Sequence, residues 1–187
     1  CQHEPSQWLW QYSALSRVRA SCAASTRLRQ WRHGTSVLSC SVVRLPTSRW
    51  YSELKQLHDE FAQRGLQILA FPCNQFALQE PQSAEKIEVC VRQKHEVAFP
   101  LLQKVNVNGV DTHPVFRWLR LRSSPEPIPW NFHTFLVSRD GLSCTRFANS
   151  RTPLSIKSEI EAVLEGAPMP ASEVSPEEQT GEDEAPA

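Results

Sequence analysis

Phe71-Pro72-Cys73-Asn74-Gln75-Phe76-Ala77-Leu78-Gln79-Glu80-Pro81 is the stretch on which the fold turns. The apolar run from Leu66 to Phe71 stops there, in a cluster of amides, a thiol and two prolines. A run of Leu, Ile, Ala and Phe with few charges suits a strand buried on both faces. Open α/β sheets carry their reactive groups in the loops at the carboxyl ends of such strands. Taken alone the stretch is equally the text of a plain turn, because Asn, Gln and Pro also serve turns for backbone reasons.

Upstream, Trp50, Leu54, Leu57 and Phe61 follow the i, i+4, i+7, i+11 spacing of one apolar helix face, and Gly65 suits the left-handed position past its end. Val37-Leu38-Ser39-Cys40-Ser41-Val42-Val43 reads as a short strand before that helix. Downstream, Ser83 is placed to cap a second helix with Glu85 in its first turn and Ile87, Cys90, Val91 and Lys94 on one side. Phe99-Pro100-Leu101-Leu102 resumes an extended path, and Asn108-Gly109 marks a turn. A short helix over 114–121 is expected to turn Val115, Trp118 and Leu119 inward, with His113 making a local hydrogen bond just before it. Phe132 to Val137 and Leu142 to Phe147 are strand-like runs joined through Asp140-Gly141, a hairpin signal. Thr152 as N-cap and Pro153 as first residue open a last helix striped by Ile156, Ile160, Val163 and Leu164. Strand, helix, strand, helix, hairpin and closing helix is the element order of a thioredoxin-like α/β fold, a central mixed sheet flanked by helices, with an insertion before the hairpin.

The 187 residues carry 20 basic and 20 acidic side chains, yet the balance is uneven along the chain. No acid lies between Glu4 and Glu53, where Arg17, Arg19, Arg27, Arg29, Arg32, Arg44 and Arg49 stand among serines. From Glu165 onward the charges are acidic alone. The expected division is an Arg/Ser-rich, poorly ordered or transit-like leader over 1–35, a globular domain over 36–165 and a disordered acidic tail over 166–187. No apolar run approaches the roughly 18 residues of a transmembrane helix. The early arginines are not interleaved with a recognition element, so no nucleic-acid partner is expected.

Cysteines stand at 1, 22, 40, 73, 90 and 144, without a CxxC pair or a Cys/His cluster, so no metal site is expected. Their spacing is unlike a secreted disulfide framework and favours a reducing compartment, cytoplasmic or mitochondrial. The chain begins at Cys1 and its one methionine is Met169, which points to a processed product, a fragment or an incomplete gene model.

Several blocks together resemble the glutathione peroxidase family. They are Leu69 to Phe76 with Gln79-Glu80-Pro81, Phe99-Pro100, Val107-Asn108-Gly109, His113-Pro114, Trp130-Asn131-Phe132 with Phe135-Leu136-Val137, and Pro153-Leu154-Ser155-Ile156. Order and spacing agree over roughly residues 47 to 165. The resemblance implies reduction of hydrogen peroxide or organic and lipid hydroperoxides by a selenocysteine or cysteine at the end of the first strand, in the response to oxidative stress. It implies no bound cofactor, and glutathione or thioredoxin as the reducing co-substrate. A thiolate attacks the O–O bond, and a helix N-terminus with amide and indole donors favours the anion. The resemblance assigns those donors to Gln79, Trp130 and Asn131, none of which takes up a proton itself. Cys73 belongs to the loop and is read as structural.

The sequence departs from the family at the nucleophile. Counting back from Tyr51, the attacking position falls on Arg44, followed by Leu45 and Pro46, and the family text is expected to resume at Thr47. A guanidinium cannot attack a peroxide and stays charged at physiological pH. Cys40 is the nearest thiol and a weak substitute, because four residues along a strand span over ~13 Å. A redox-inactive relative that binds a partner, and a truncated or frame-altered amino-terminal reading, are the competing accounts. Cys90 lies two residues short of the family's resolving cysteine, a rotation of roughly 200° toward the core face, so regeneration by an internal disulfide is not expected. The short stretch between Arg120 and Trp130 resembles the compact members of the family and implies a monomer.

Overall fold

The computed structural model describes residues 35–41 and 48–173. The expected leader over 1–35 falls almost wholly outside them, as do Arg44, Leu45 and Pro46. Strand β1 (Ser36–Ser41) leads to helix α1 (Ser48–Phe61), whose 3₁₀ extension Ala62–Arg64 stops at Gly65 with φ 98°. The left-handed turn expected at Gly65 is therefore present, and it delivers the chain into β2 (Gln67–Pro72). Helices α2 (Ala84–His95) and α3 (Pro114–Ser123) follow, then the hairpin β3 (Thr134–Val137) and β4 (Cys144–Phe147). A 3₁₀ turn, Pro153–Ile156, runs into α4 (Lys157–Leu164).

The sheet order is β2-β1-β3-β4. β1 runs parallel to β2, with Leu38 opposite Leu69, and antiparallel to β3, with Leu38 opposite Phe135. This is the mixed sheet that the element order predicts: a parallel pair needs a crossover helix, here α1, whereas β3 and β4 need only the Asp140-Gly141 turn. Asp140 accepts from the Ser138 hydroxyl and the Leu142 N–H, and Gly141 takes φ 67°.

Side chains alternate across the sheet and divide the core in two. Ile68, Ala70 and Leu136 face Tyr51, Leu54, Leu57 and Phe61 of α1, Ile87 and Val91 of α2, and Ile160 and Val163 of α4. Leu69, Phe71, Phe135 and Val137 face the opposite way, onto Phe116 and Leu119 of α3 with Phe76, Val107 and Ile128. The free edge of β2 is covered by the extended segment after Phe99, through Ala70 N–H to the Pro100 carbonyl (3.1 Å) and Leu102 N–H to the Ala70 carbonyl (2.8 Å).

Several sequence expectations shift at this level. In α3 the fully buried residues are Phe116 and Leu119, whereas Val115 and Trp118 are half-buried, because the helix leans its middle on Phe71 and Phe135. Ser83 sits at the N-cap of α2 without a capping bond from its side chain; its hydroxyl serves Glu85 instead. Thr152 makes no cap bond to the backbone either, and the Leu154 N–H is taken by Glu53 of α1 at 3.0 Å. Cys90 is half-buried beside a shallow groove with Val89, Lys86 and Lys94, rather than in the core. The chain beyond residue 166 continues against β4: Glu173 N–H donates to the Arg146 carbonyl (3.2 Å), the Arg146 N–H donates to the Ser172 hydroxyl (3.1 Å), and Met169 packs against the core. Of the acidic tail expected over 166–187, residues 166–173 are described and 174–187 lie outside the described residues.

Candidate active site

β1 and β2 end side by side, with Ser41 opposite Pro72, so both strands release their chains at one end of the sheet. The loop that leaves β2 there is tightly fastened. Cys73 is fully buried, and its sulfur accepts the Gln75 N–H. Asn74 Oδ1 accepts the Glu80 N–H at 2.8 Å, and the Gln79 N–H closes on the Phe76 carbonyl at 3.2 Å. Lys104 binds the loop from outside by donating to the carbonyls of Glu80 and Gln82. To make this turn Ala77 and Leu78 both adopt left-handed backbone, φ 49° and 50°, and Leu78 stands exposed.

The second wall is the approach to β3. Asn131 is buried, and its Nδ2 donates to Gln79 Oε1 across 3.1 Å. Its Oδ1 meets no hydrogen-bond partner among the described residues. Trp130 is 43% exposed, and its ring centroid lies 6.0 Å from that of Phe76. Phe132 at φ 66° reverses the chain between these residues and the sheet, and its ring meets Trp50 of α1 in a tilted contact at 4.9 Å. Gln79 and Asn131 are thus in contact, and Trp130 follows from its place beside Asn131. Cys40 lies in β1 with its backbone opposite Phe71, four residues before position 44. The arrangement is a group of neutral amide and indole side chains, fit to stabilise a localised negative charge without titrating.

Sequence reasoning missed the group that holds this wall. Arg146 of β4 is fully buried, with no carboxylate hydrogen-bonded to it among the described residues; it donates to the Glu126 carbonyl (3.0 Å), the Pro127 carbonyl (3.1 Å) and His133 Nδ1 (3.3 Å), and its guanidinium stands over the Phe135 ring. Burial, helped by Arg120 nearby, lowers its pKa to about 10, so the group remains a cation at neutral pH. Burial and then the Arg146 charge push His133 down to about 4, against a raising contribution from the Phe147 carbonyl. The available signal was strand alternation, which puts Arg146 on the same face as the buried Cys144. That thiol is inert: burial raises it to about 12, against a hydrogen bond with Ser123.

Comparison with known proteins follows the same lines. The family model described as glutathione peroxidase matches residues 15–120, a span that opens well upstream of Thr47 and runs through position 44. A probable phospholipid hydroperoxide glutathione peroxidase of Citrus sinensis is 43% identical over 126 residues, 65% of this chain and 74% of the relative. A glutathione peroxidase-like peroxiredoxin of Schizosaccharomyces pombe is 40% identical over 117 residues, 61% of this chain and 74% of the relative. Among solved structures, Trgpx in apo form superposes with a TM-score of 0.60 at 27% identity, over 75% of this chain and 86% of that one. T. cruzi GPX1 gives 0.59 at 26%, over 76% and 89%. With the thioredoxin-like sheet, the fastened Gln-Glu-Pro loop and the Trp-Asn wall already in place, these matches decide the assignment: the chain belongs to the glutathione peroxidase family.

Proposed function

We propose that this scaffold serves the reduction of hydroperoxides by a thiol reductant, glutathione or thioredoxin, in the response to oxidative stress. The observation that carries the reading is the Gln79–Asn131 contact with Trp130 beside it, at the sheet end where β1 and β2 release their chains. The step these groups suit is attack of a thiolate on the terminal peroxide oxygen. A new S–O bond forms, the O–O bond breaks, and the alkoxide leaves with a proton as alcohol. The resulting sulfenic acid is reduced by two equivalents of external thiol, which leave as a disulfide with release of water. Gln79, Asn131 and Trp130 then act as donors to charge that moves from sulfur to oxygen. Leu78 and Trp130 give the rim an apolar character that favours organic or lipid hydroperoxides over hydrogen peroxide.

The chain as written has Arg44 at the attacking position, and a guanidinium cannot perform the first step. Turnover of tert-butyl hydroperoxide should therefore be absent or slow in the unaltered chain, with glutathione or thioredoxin supplied, and should appear in Arg44→Cys with Leu45→Gly. Loss of a residual rate in Cys40→Ser would transfer the attack to Cys40. A well-folded double variant without turnover overturns the peroxidase reading. The same Arg44 favours a second reading, a redox-inactive protein that binds an anionic partner at the end of the sheet, which predicts saturable anion binding lost in Arg44→Met. A monomer, cytoplasmic or mitochondrial, is the accompanying proposal, supported by the six residues between α3 and Trp130 and by the Arg/Ser-rich start.

A further inference from the structure

We propose that Gln75 and Asn108, whose hydrogen bonds go to residues other than Gln79 and Asn131, are positioning residues that hold that pair, by closing a ring of side-chain amides around the site. The inference rests on the reading of Gln79, Asn131 and Trp130 as the donors toward peroxide, but the ring itself is read from hydrogen bonds alone.

The ring starts on the β2 loop. Gln75 is an exposed residue, yet both ends of its side-chain amide are bonded: Oε1 accepts the N–H of Val107 (2.8 Å) and of Asn108 (2.9 Å) and faces the Cys73 thiol (3.9 Å), and Nε2 donates to the Asn108 carbonyl (2.9 Å). Asn108 passes the connection on. Its Oδ1 accepts the Ile128 N–H (2.9 Å) and its Nδ2 donates to the Ile128 carbonyl (2.7 Å), so one side chain satisfies both backbone groups of one residue, as a neighbouring strand would. Ile128 stands three residues before Asn131, and Asn131 returns to Gln79, four residues after Gln75. The return leg within the loop is shortened by the Gln79 N–H bond to the Phe76 carbonyl.

Both links require an amide. A carboxylate could accept from the same N–H groups but would repel the Ile128 or Asn108 carbonyl, and a hydroxyl is too short to span a residue's N–H and C=O together. The links carry no ionisable group, so the geometry they impose does not change with pH. Their place at the surface matters as well. Gln75 contributes little to the core, so an exposed glutamine held to the 107–108 backbone by three hydrogen bonds is better explained by what it orders than by what it buries. The Asn108-Gly109 turn, with Gly109 at φ 84°, keeps the Asn108 side chain turned to Ile128 while its backbone is held by Gln75.

The test uses the full chain, labelled with ¹⁵N, and the variants Gln75→Glu, Gln75→Met, Asn108→Ala and Gln79→Ala. The readouts are the Asn131 side-chain amide and Trp130 indole resonances, with a thermal melt as control for folding. Gln75→Met and Asn108→Ala should move both resonances toward their positions in Gln79→Ala. Gln75→Glu, which keeps the acceptor contacts and loses the Nε2 donation, should fall between. Unchanged Asn131 and Trp130 signals in folded Gln75→Met and Asn108→Ala overturn the proposal. If either of these fails to fold, Gln75→Glu decides, and unshifted signals there overturn it equally.

A second arm repeats the series in Arg44→Cys with Leu45→Gly, following tert-butyl hydroperoxide reduction. Asn108→Ala should lower kcat/KM about tenfold while leaving the KM for the thiol reductant unchanged, and adding Gln79→Ala should cost little more. A merely structural role would instead lower the amount of folded enzyme, with additive losses. Absence of turnover throughout that background sinks the peroxidase reading, whereas the resonance arm still decides the ring.

Discussion

Arg146 Nε donates to His133 Nδ1 across 3.3 Å, and this bond fixes His133 as a neutral ring with its proton on Nε2. Protonating Nδ1 would remove the acceptor and set two cations side by side in the core. The folded pKa of about 4 lies below the unfolded value of about 6.5. Between those values the unfolded chain binds the extra proton, so stability is retained above about pH 6.5 and falls as the pH drops toward 4. Urea unfolding from pH 7.5 to 4.5 should show a loss on the order of 3 kcal/mol in the unaltered chain, and a flatter profile in His133→Gln. An equal slope in both proteins would contradict the assignment.

Arg146 itself holds the segment before Trp130. In Arg146→Met the carbonyls of Glu126 and Pro127 lose their buried donor, which should cost about 2–4 kcal/mol in unfolding experiments. Acrylamide should quench Trp130 more readily in the native state, measured in a chain whose other tryptophans are replaced by phenylalanine. Arg146→Lys should not restore stability, because an ammonium cannot present the planar fork that reaches two carbonyls and a ring nitrogen at once.

Glu53 offers a simpler case. Burial works to raise its carboxyl, but hydrogen bonds with Thr152, Arg49 and Leu154 outweigh it and the net shift is downward. A carboxyl lowered on folding contributes stability above its unfolded pKa and loses it as pH falls through the folded one. Glu53→Ala should therefore lower the stability by about 1–2 kcal/mol at pH 7, as for loss of a helix cap, with a smaller deficit near pH 3. Thermal melts at the two pH values test this.

Leu78 tests the strain in the loop. It keeps φ 50° although 72% exposed, so glycine relieves the backbone and sacrifices almost no burial. Leu78→Gly should gain about 0.5–1 kcal/mol after the extra freedom of the unfolded chain is subtracted. In the Arg44→Cys background the same change should raise KM for a bulky apolar hydroperoxide more than for hydrogen peroxide. A loss of stability would show that Leu78 packs in a way its exposure does not reveal.

Thiol accessibility separates the cysteines. At pH 8 Cys144, raised to about 12, and the fully buried Cys73 should resist iodoacetamide in the folded chain, while Cys90 reacts ahead of both. Peptide mass mapping after timed quenching checks the order.

The sequence by itself determined the elements and the faces they bury: the α1 stripe, the Gly65 stop, the Asp140-Gly141 hairpin and the α4 stripe are local patterns, set by the helical and extended repeats. It also carried the blocks that place Gln79, Trp130 and Asn131 in one family. The tertiary structure decided which distant polar groups complete one another. Glu53 meets Leu154 across 101 positions, Asn131 meets Gln79 across 52, and Asn108 meets Ile128 across 20. No local repeat encodes such pairs. A buried amide, carboxylate or guanidinium accepts whichever partner the folded sheet brings within about 3 Å, and that is known only once β1, β2, β3 and β4 are in register.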